Sequence, residues 1–165
     1  MNFRSVGWVD TFSLVASLRA RLNLFAPSDE LQTFLLRAVD EDGKVKVHPQ
    51  WRKWPELTNR IKQAQRLIDA EKQFQLGRVA LELLRPGGVV GWNREPGEWL
   101  RFHLAVVTNP LAIVYSGPEQ LGMQIGFVNW VNIGALCSQV NFGETQRIHL
   151  VCDFRKKEPE DAAPE

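Results

Sequence analysis

The sequence predicts an α+β fold in which helices pack on one sheet of a β-barrel. Two observations predict it. Apolar residues recur at helical spacing in the first part of the chain, and Val- and Leu-rich runs separated by turn residues follow. Helices first and strands later favour segregated layers over an alternating α/β sheet. The chain has 165 residues, 44% hydrophobic and 24% charged, which is one domain with enough apolar surface to bury a core.

Thr11 to Leu22 places Phe12, Val15, Leu18 and Leu22 on one helical stripe, with Arg19 and Arg21 off it. Ser28 is placed to cap a second helix whose apolar face is Leu31, Phe34, Leu35 and Ala38. Asp40-Glu41-Asp42-Gly43 ends that helix in a polar turn, and His48 to Pro55 is a proline-punctuated loop carrying Trp51 and Trp54. Pro55 suits the first turn of a third helix through Ala70, with Leu57, Ile61, Ala64 and Ile68 as its stripe. Strands are predicted at Gly77–Leu84, Trp99–Val107, Phe127–Val131, Ser138–Phe142 and Arg147–Phe154. Arg85-Pro86-Gly87-Gly88 turns the chain, and Gly143-Glu144-Thr145 is expected to close a hairpin. One domain is therefore expected over residues 1–154, helical over 1–74 and a β-barrel over 75–154. The charged, proline-bearing segment 155–165 is expected to be disordered.

A formal net charge of +1 gives no field to attract nucleic acid or a membrane surface. No apolar run approaches the roughly 20 residues that span a bilayer. Two cysteines and no signal-like apolar start suggest a cytoplasmic protein. Nothing in the pattern sets an oligomeric state. Six tryptophans, Trp92 among them, are expected in the core or on a groove wall.

Alternate residues of a strand share a face. Arg101 and His103 therefore lie together, as do Arg147 and His149, while Cys152 points away from Arg147. One account puts these Arg-x-His pairs on the wet side of a half-exposed sheet. The other makes them a cationic pocket, because a guanidinium grips a carboxylate through two parallel hydrogen bonds and a low-dielectric barrel strengthens the pair.

Several spacings agree at once. Seven residues after Pro86, in its Pro-Gly turn, comes Asn93, with Glu95 two further on; Leu100-Arg101-Phe102-His103-Leu104 follows; Cys137 precedes Asn141 by four residues and Arg147 by ten. Over Gln75 to Phe154, and more loosely over the Trp51–Leu57 loop, this pattern resembles the aspartyl/asparaginyl β-hydroxylase family of iron- and 2-oxoglutarate-dependent oxygenases. The resemblance implies a double-stranded β-helix, of jelly-roll or cupin type. It implies that Arg147 holds the distal carboxylate of 2-oxoglutarate, with Arg101 and His103 helping. It also implies that Asn93 and Cys137 stand where the family has iron-binding histidines.

An amide is a weak ligand for ferrous iron, and a thiolate favours softer metals. Only Glu95 matches a permitted ligand type, so Asn93, Glu95 and Cys137 read as vestigial metal positions, with no metal and no cofactor expected. Glu82, eleven residues before Asn93, stands where the family can place a small hydroxyl donor. Facing inward it would repel a ligand carboxylate or pair with Arg101 or Arg147.

The leading expectation is a degenerate oxygenase-fold protein that binds a small carboxylate or a peptide through Arg101, His103, Arg147, His149, Glu82 and Trp92. An active 2-oxoglutarate- and Fe(II)-dependent hydroxylase with atypical ligands is the alternative. Two more remain open. One is a metal-free enzyme using Glu95 and His103 for acid/base work; the other is an interaction module presenting Trp51 and Trp54.

Overall fold

The structure, a computed structural model, describes residues 1–21, 31–40, 44–49, 53–67, 74–95 and 99–156. Two helices are described, α1 (Phe12–Arg19) and α2 (Pro55–Leu67). The strands are β1 (Phe3–Trp8), β2 (Leu31–Val39), β3 (Val45–Val47), β4 (Phe74–Leu84), β5 (Val89–Asn93), β6 (Trp99–Val107), β7 (Ala112–Ser116), β8 (Glu119–Gly122), β9 (Phe127–Val131), β10 (Cys137–Asn141) and β11 (Arg147–Lys156).

They form two antiparallel sheets, a seven-stranded one in the order β1-β9-β6-β11-β4-β2-β3 and a four-stranded one in the order β5-β10-β7-β8. From β4 onward the chain alternates between them. β4, β6, β9 and β11 lie in the large sheet; β5, the β7–β8 pair and β10 lie in the small one. That alternation is the winding of a jelly roll.

The large sheet is apolar on its outer face and polar inside. Leu81, Leu83, Phe102, Leu104, Ile148, Leu150 and Phe154 join Leu14 and Leu18 of α1 and Leu57 and Ile61 of α2 in one buried cluster. Each such side chain contributes about 1.5–3 kcal/mol on leaving water. The opposite face of the same strands points between the sheets and carries Glu82, Arg101, His103, Arg147, His149 and Asp153, all buried. A second apolar cluster, including Ala105, Val114, Val131, Ile133 and Cys137, fills the rest of that space.

Several expectations are corrected. Leu31–Val39 is strand β2, not a helix, and pairs with β4 from Leu31↔Leu84 to Arg37↔Val79. Its buried positions, Gln32 and Leu36, are four apart, a spacing that helix and strand share, so it is the pairing with a central strand that overrides a helical spacing of apolar residues. The first 74 residues are thus not a helical part, since β1, β2 and β3 lie there. β5, β7 and β8 were not anticipated either. Gly143-Glu144-Thr145 closes no hairpin, because β10 and β11 belong to different sheets. Trp54 is wholly buried, and its indole N–H donates to Ser17 Oγ at 2.7 Å, so it is core and no part of a partner surface. Ser28, Trp51, Ile68, Ala70 and the segment 157–165 lie outside the described residues. Among the described residues no helix is long and apolar enough to cross a membrane.

Candidate functional site

Three strands of the large sheet and two of the small one build the site. β4, β6 and β11 lie side by side, with His149 opposite both Glu82 and Ala105, and Asp153 opposite Arg101. β-Bulges re-aim side chains here. Between Cys137↔Asn93 and Gln139↔Val90, β5 carries one residue too many. The bulge returns Asn93 to the inner face alongside Val90, and both line the cavity with Arg101, His103, Cys137 and Gln139. It turns Trp92 out, where the ring is 56% exposed and rests on Tyr115, 5.7 Å between centroids. Trp92 therefore does not line the cavity.

The turn before β5 is tied to β10. Gly87 has φ +77°, a backbone region that favours glycine. Its N–H donates to Asn141 O at 2.7 Å, and Asn141 N–H donates to Gly88 O at 2.9 Å. The buried amide of Asn141 donates to Leu84 O and Thr145 O, each at 2.9 Å, and accepts from Asn109 Nδ2 at 3.0 Å. Asn141 thus pins the turn below Arg147 and the crossover that leads into β11.

Arg101 is fully engaged. Asp153 takes its Nε and Nη2 at 2.7 and 2.9 Å; Glu95 takes its Nη1 and Nη2 at 2.6 and 2.7 Å. Burial alone would lower its pKa, but Asp153 and then Glu95 outweigh that and hold the guanidinium above its ordinary value. Glu82 does face inward, and its partner is Arg78 at 3.2 Å, not Arg101 or Arg147. Arg78 also reaches Asp153 at 3.8 Å. Glu82, Asp153 and Glu95 are all spent on Arg78 and Arg101.

Arg147 has no such partner among the described residues. It is 0% exposed. Nη1 donates to Gln139 Oε1, while Nε and Nη2 are buried without a hydrogen bond. Burial pulls its pKa down to about 10, against the attraction of Glu82, so it keeps its charge at neutral pH. Nε and Nη2 are one two-pronged edge of the guanidinium, the edge that grips a carboxylate. Two residues along the same face, His149 Nε2 is also buried and unpartnered. His149 Nδ1 meets His103 Nδ1 at 3.3 Å. Burial first, then the charge of Arg147, holds the His149 pKa well below its usual range; burial and the charges of Arg101, Arg147 and Arg78 do the same for His103. Both imidazoles are neutral at pH 7.

Asn93 and Cys137 face each other across β5 and β10. Cys137 donates weakly to Asn132 O and Ala135 O at 3.3 and 3.4 Å, and burial pushes its thiol pKa up, away from the thiolate a metal needs. The cavity beside them holds about 30 Å³, room for one or two waters. Sequence reasoning missed Asp153, Gln139 and Arg78. Strand alternation from Arg147 through His149 was the available signal for Asp153, and alternation from Glu82 was the signal for Arg78.

No protein-family model and no curated protein matches the chain. Solved structures do. A 2OG-Fe(II) oxygenase family oxidoreductase from Burkholderia pseudomallei superposes with a TM-score of 0.63 at 9% identity, over 87% of this chain and 78% of that one. The viral collagen prolyl hydroxylase of Paramecium Bursaria Chlorella virus-1, as its 2OG complex, gives 0.61 at 6% identity, over 96% and 97%. HygX from Streptomyces hygroscopicus, with nickel and 2-oxoglutarate bound, gives 0.63 at 8%, over 93% and 82%.

These likenesses correct the expectation of no cofactor to the extent that HygX, a protein of similar fold, holds nickel and 2-oxoglutarate. The side chains test the two groups differently. Among the described residues no three of His, Cys, Asp and Glu gather to hold a metal ion, and the Glu95 carboxylate is held by Arg101. That donor set does not fit iron. The Nε–Nη2 edge of Arg147 and His149 Nε2 are buried without a hydrogen bond among the described residues, and neither residue lines the cavity of about 30 Å³. The chain has the double-stranded β-helix of the 2OG-Fe(II) oxygenases.

Proposed function

We propose that the barrel binds a small carboxylic acid of the 2-oxoglutarate class on Arg147, in a chain whose iron position has been rebuilt around Asn93, Cys137 and the Glu95–Arg101 pair. One observation carries the proposal. A wholly buried, charged guanidinium leaves its bidentate edge without a hydrogen bond among the described residues, which costs several kcal/mol unless something fills it. A ligand carboxylate removes that cost. Arg101 is not a second anchor, because Asp153 and Glu95 saturate it, so the acid is held by one carboxylate. His149 Nε2 is the neighbouring polar atom left to complete the grip.

Calorimetric titration with 2-oxoglutarate and with succinate, in the presence of a chelator, tests this. Saturable binding by either acid, lost in an Arg147→Gln variant, is expected. A wild-type protein that takes up neither refutes the reading.

The second reading is an active 2-oxoglutarate-dependent hydroxylase, favoured by the fold it shares with such enzymes. Glu95 would then leave Arg101 to serve a metal. Succinate produced from 2-oxoglutarate when ferrous iron is supplied supports that reading; none produced by protein that binds the acid removes it.

A further inference from the structure

The site holds three guanidinium groups, of Arg78, Arg101 and Arg147, and three carboxylates, of Glu82, Glu95 and Asp153. Their formal charges balance, yet the partners are shared unequally. Arg101 takes Asp153 and Glu95, while Arg78 takes Glu82 at 3.2 Å and reaches Asp153 at 3.8 Å. Arg147 has no ion-pair partner among the described residues, and two of its nitrogens make no hydrogen bond there. The vacancy at Arg147 therefore reflects how the carboxylates are distributed, not how many there are.

Strand register makes that distribution informative. His149 stands opposite Glu82, and Arg147 stands opposite Leu84. Glu82 and Arg147 are thus diagonal neighbours on one face of adjacent strands, rooted roughly 7–8 Å apart, within reach of two long side chains. Arg78 lies four residues from Glu82 along β4, roughly 13 Å at about 3.3 Å per residue. Glu82 leans away from the nearer guanidinium, which is wholly buried, toward the farther one, whose side chain is 33% exposed. Its charge still acts on Arg147, opposing the loss of that proton. The Glu82 side chain is only 6% exposed already, so turning to Arg147 adds little desolvation, and an ion pair is stronger where water is excluded.

We infer that Arg78 is a positioning residue that holds Glu82 off Arg147, and that Glu82 is a built-in carboxylate able to fill Arg147 itself. With Arg78 in place, the Nε–Nη2 edge of Arg147 stays open. With Arg78 withdrawn, Glu82 loses its partner and takes the buried cation diagonal to it. Asp153 does not compete, because Arg101 holds both of its oxygens. The consequence for acid uptake rests on the carboxylate reading of Arg147; the exchange of Glu82 between two arginines does not.

The exchange is read without any ligand. Arg147→Met is placed in the wild type and in an Arg78→Met protein, and each folding equilibrium constant is measured by urea denaturation. In the wild type the substitution removes a poorly paired charge, and the constant should rise. In the Arg78→Met protein it should fall by about tenfold, because removing one partner of a buried pair strands the other. Adding Glu82→Gln to Arg78→Met should abolish that reversal of sign. If Arg147→Met stabilises both proteins alike, the inference is overturned. Should Arg78→Met not fold, Arg78→Gln takes its place. Calorimetric titration with 2-oxoglutarate and succinate supplies the second readout. Affinity should drop about tenfold in Arg78→Met, return when Glu82→Gln is added, and persist in Arg78→Lys, which keeps a cation for Glu82. A drop that Glu82→Gln does not restore makes Arg78 merely structural and overturns the positioning role. If wild-type protein takes up neither acid, the carboxylate reading fails, and the reversal of sign alone decides the role of Arg78.

Discussion

Arg147 is a charge the fold tolerates without using. Among the described residues its hydrogen-bond partner is Gln139, and two of its nitrogens have none. Removing a buried group that is poorly paired should help the ligand-free protein. Arg147→Met is therefore expected to raise the unfolding free energy by about 1–2 kcal/mol in chemical denaturation, while acid binding disappears. Gln139 lines the cavity and can turn to water. A drop in stability would mean that Arg147 is structural. Arg147→Lys keeps the charge and loses the fork, so acid affinity should fall about tenfold without vanishing. Asn141 has the opposite character. It is 0% exposed and ties Leu84, Asn109 and Thr145 together. Asn141→Ala orphans those groups and should cost about 2–4 kcal/mol at roughly 1–3 per unsatisfied group, read as a lower urea midpoint.

Strand irregularities decide which residues reach the cavity. The bulge in β5 puts both Val90 and Asn93 inside and Trp92 outside. A second, in β4, sets Gly77 and Arg78 against Asp153. Gly77 has no room for a side chain there, since an added Cβ would lie 2.2 Å from Trp99 Cζ3 and 3.2 Å from Asp153 O. Gly77→Ala should force the Trp99 ring aside and destabilise by about 1–3 kcal/mol, with a shift in tryptophan fluorescence as its local sign. These irregularities also mark the limit of sequence reasoning at this scale. Uninterrupted alternation was enough to put Arg101 with His103 and Arg147 with His149, because β6 keeps its register with β9 from Arg101 to Leu104 and β11 keeps its register with β4 from Arg147 to Cys152. It failed for Trp92, where one extra residue reverses the phase. For Leu31–Val39 the apolar spacing pointed to a helix, and only the partner strand β4, distant in sequence, could say otherwise. For Arg101, alternation could put Asp153 on the inner face but not opposite Arg101, and Glu95 sits on a loop that no alternation reaches.

For the whole molecule, the two buried neutral histidines couple stability to acidity. In the unfolded chain each takes a proton near its ordinary value of about 6.5; in the fold both stay neutral to well below that. Between those limits the unfolded state binds more protons, so stability falls as pH falls. From pH 7.5 to 5.5 the pair should withdraw about 2–3 kcal/mol of unfolding free energy, measured by denaturant titration at each pH. A His103→Gln, His149→Gln double variant should lose most of that slope. If the wild-type slope over this range is flat, the rings are not neutral in the fold.

β11 lies between β6 and β4 in the large sheet, yet it comes last in chain order among the described strands. Arg147, His149 and Asp153 all ride on it. During synthesis the long strands on either side must wait, with open backbone edges, for the segment that zips them together. Capacity to bind acid and protection from aggregation are therefore acquired in one late step. A ribosome-stalled product ending before Arg147 should be sticky and inert toward acids, and about ten more residues outside the exit tunnel, completing β11, should cure both defects together.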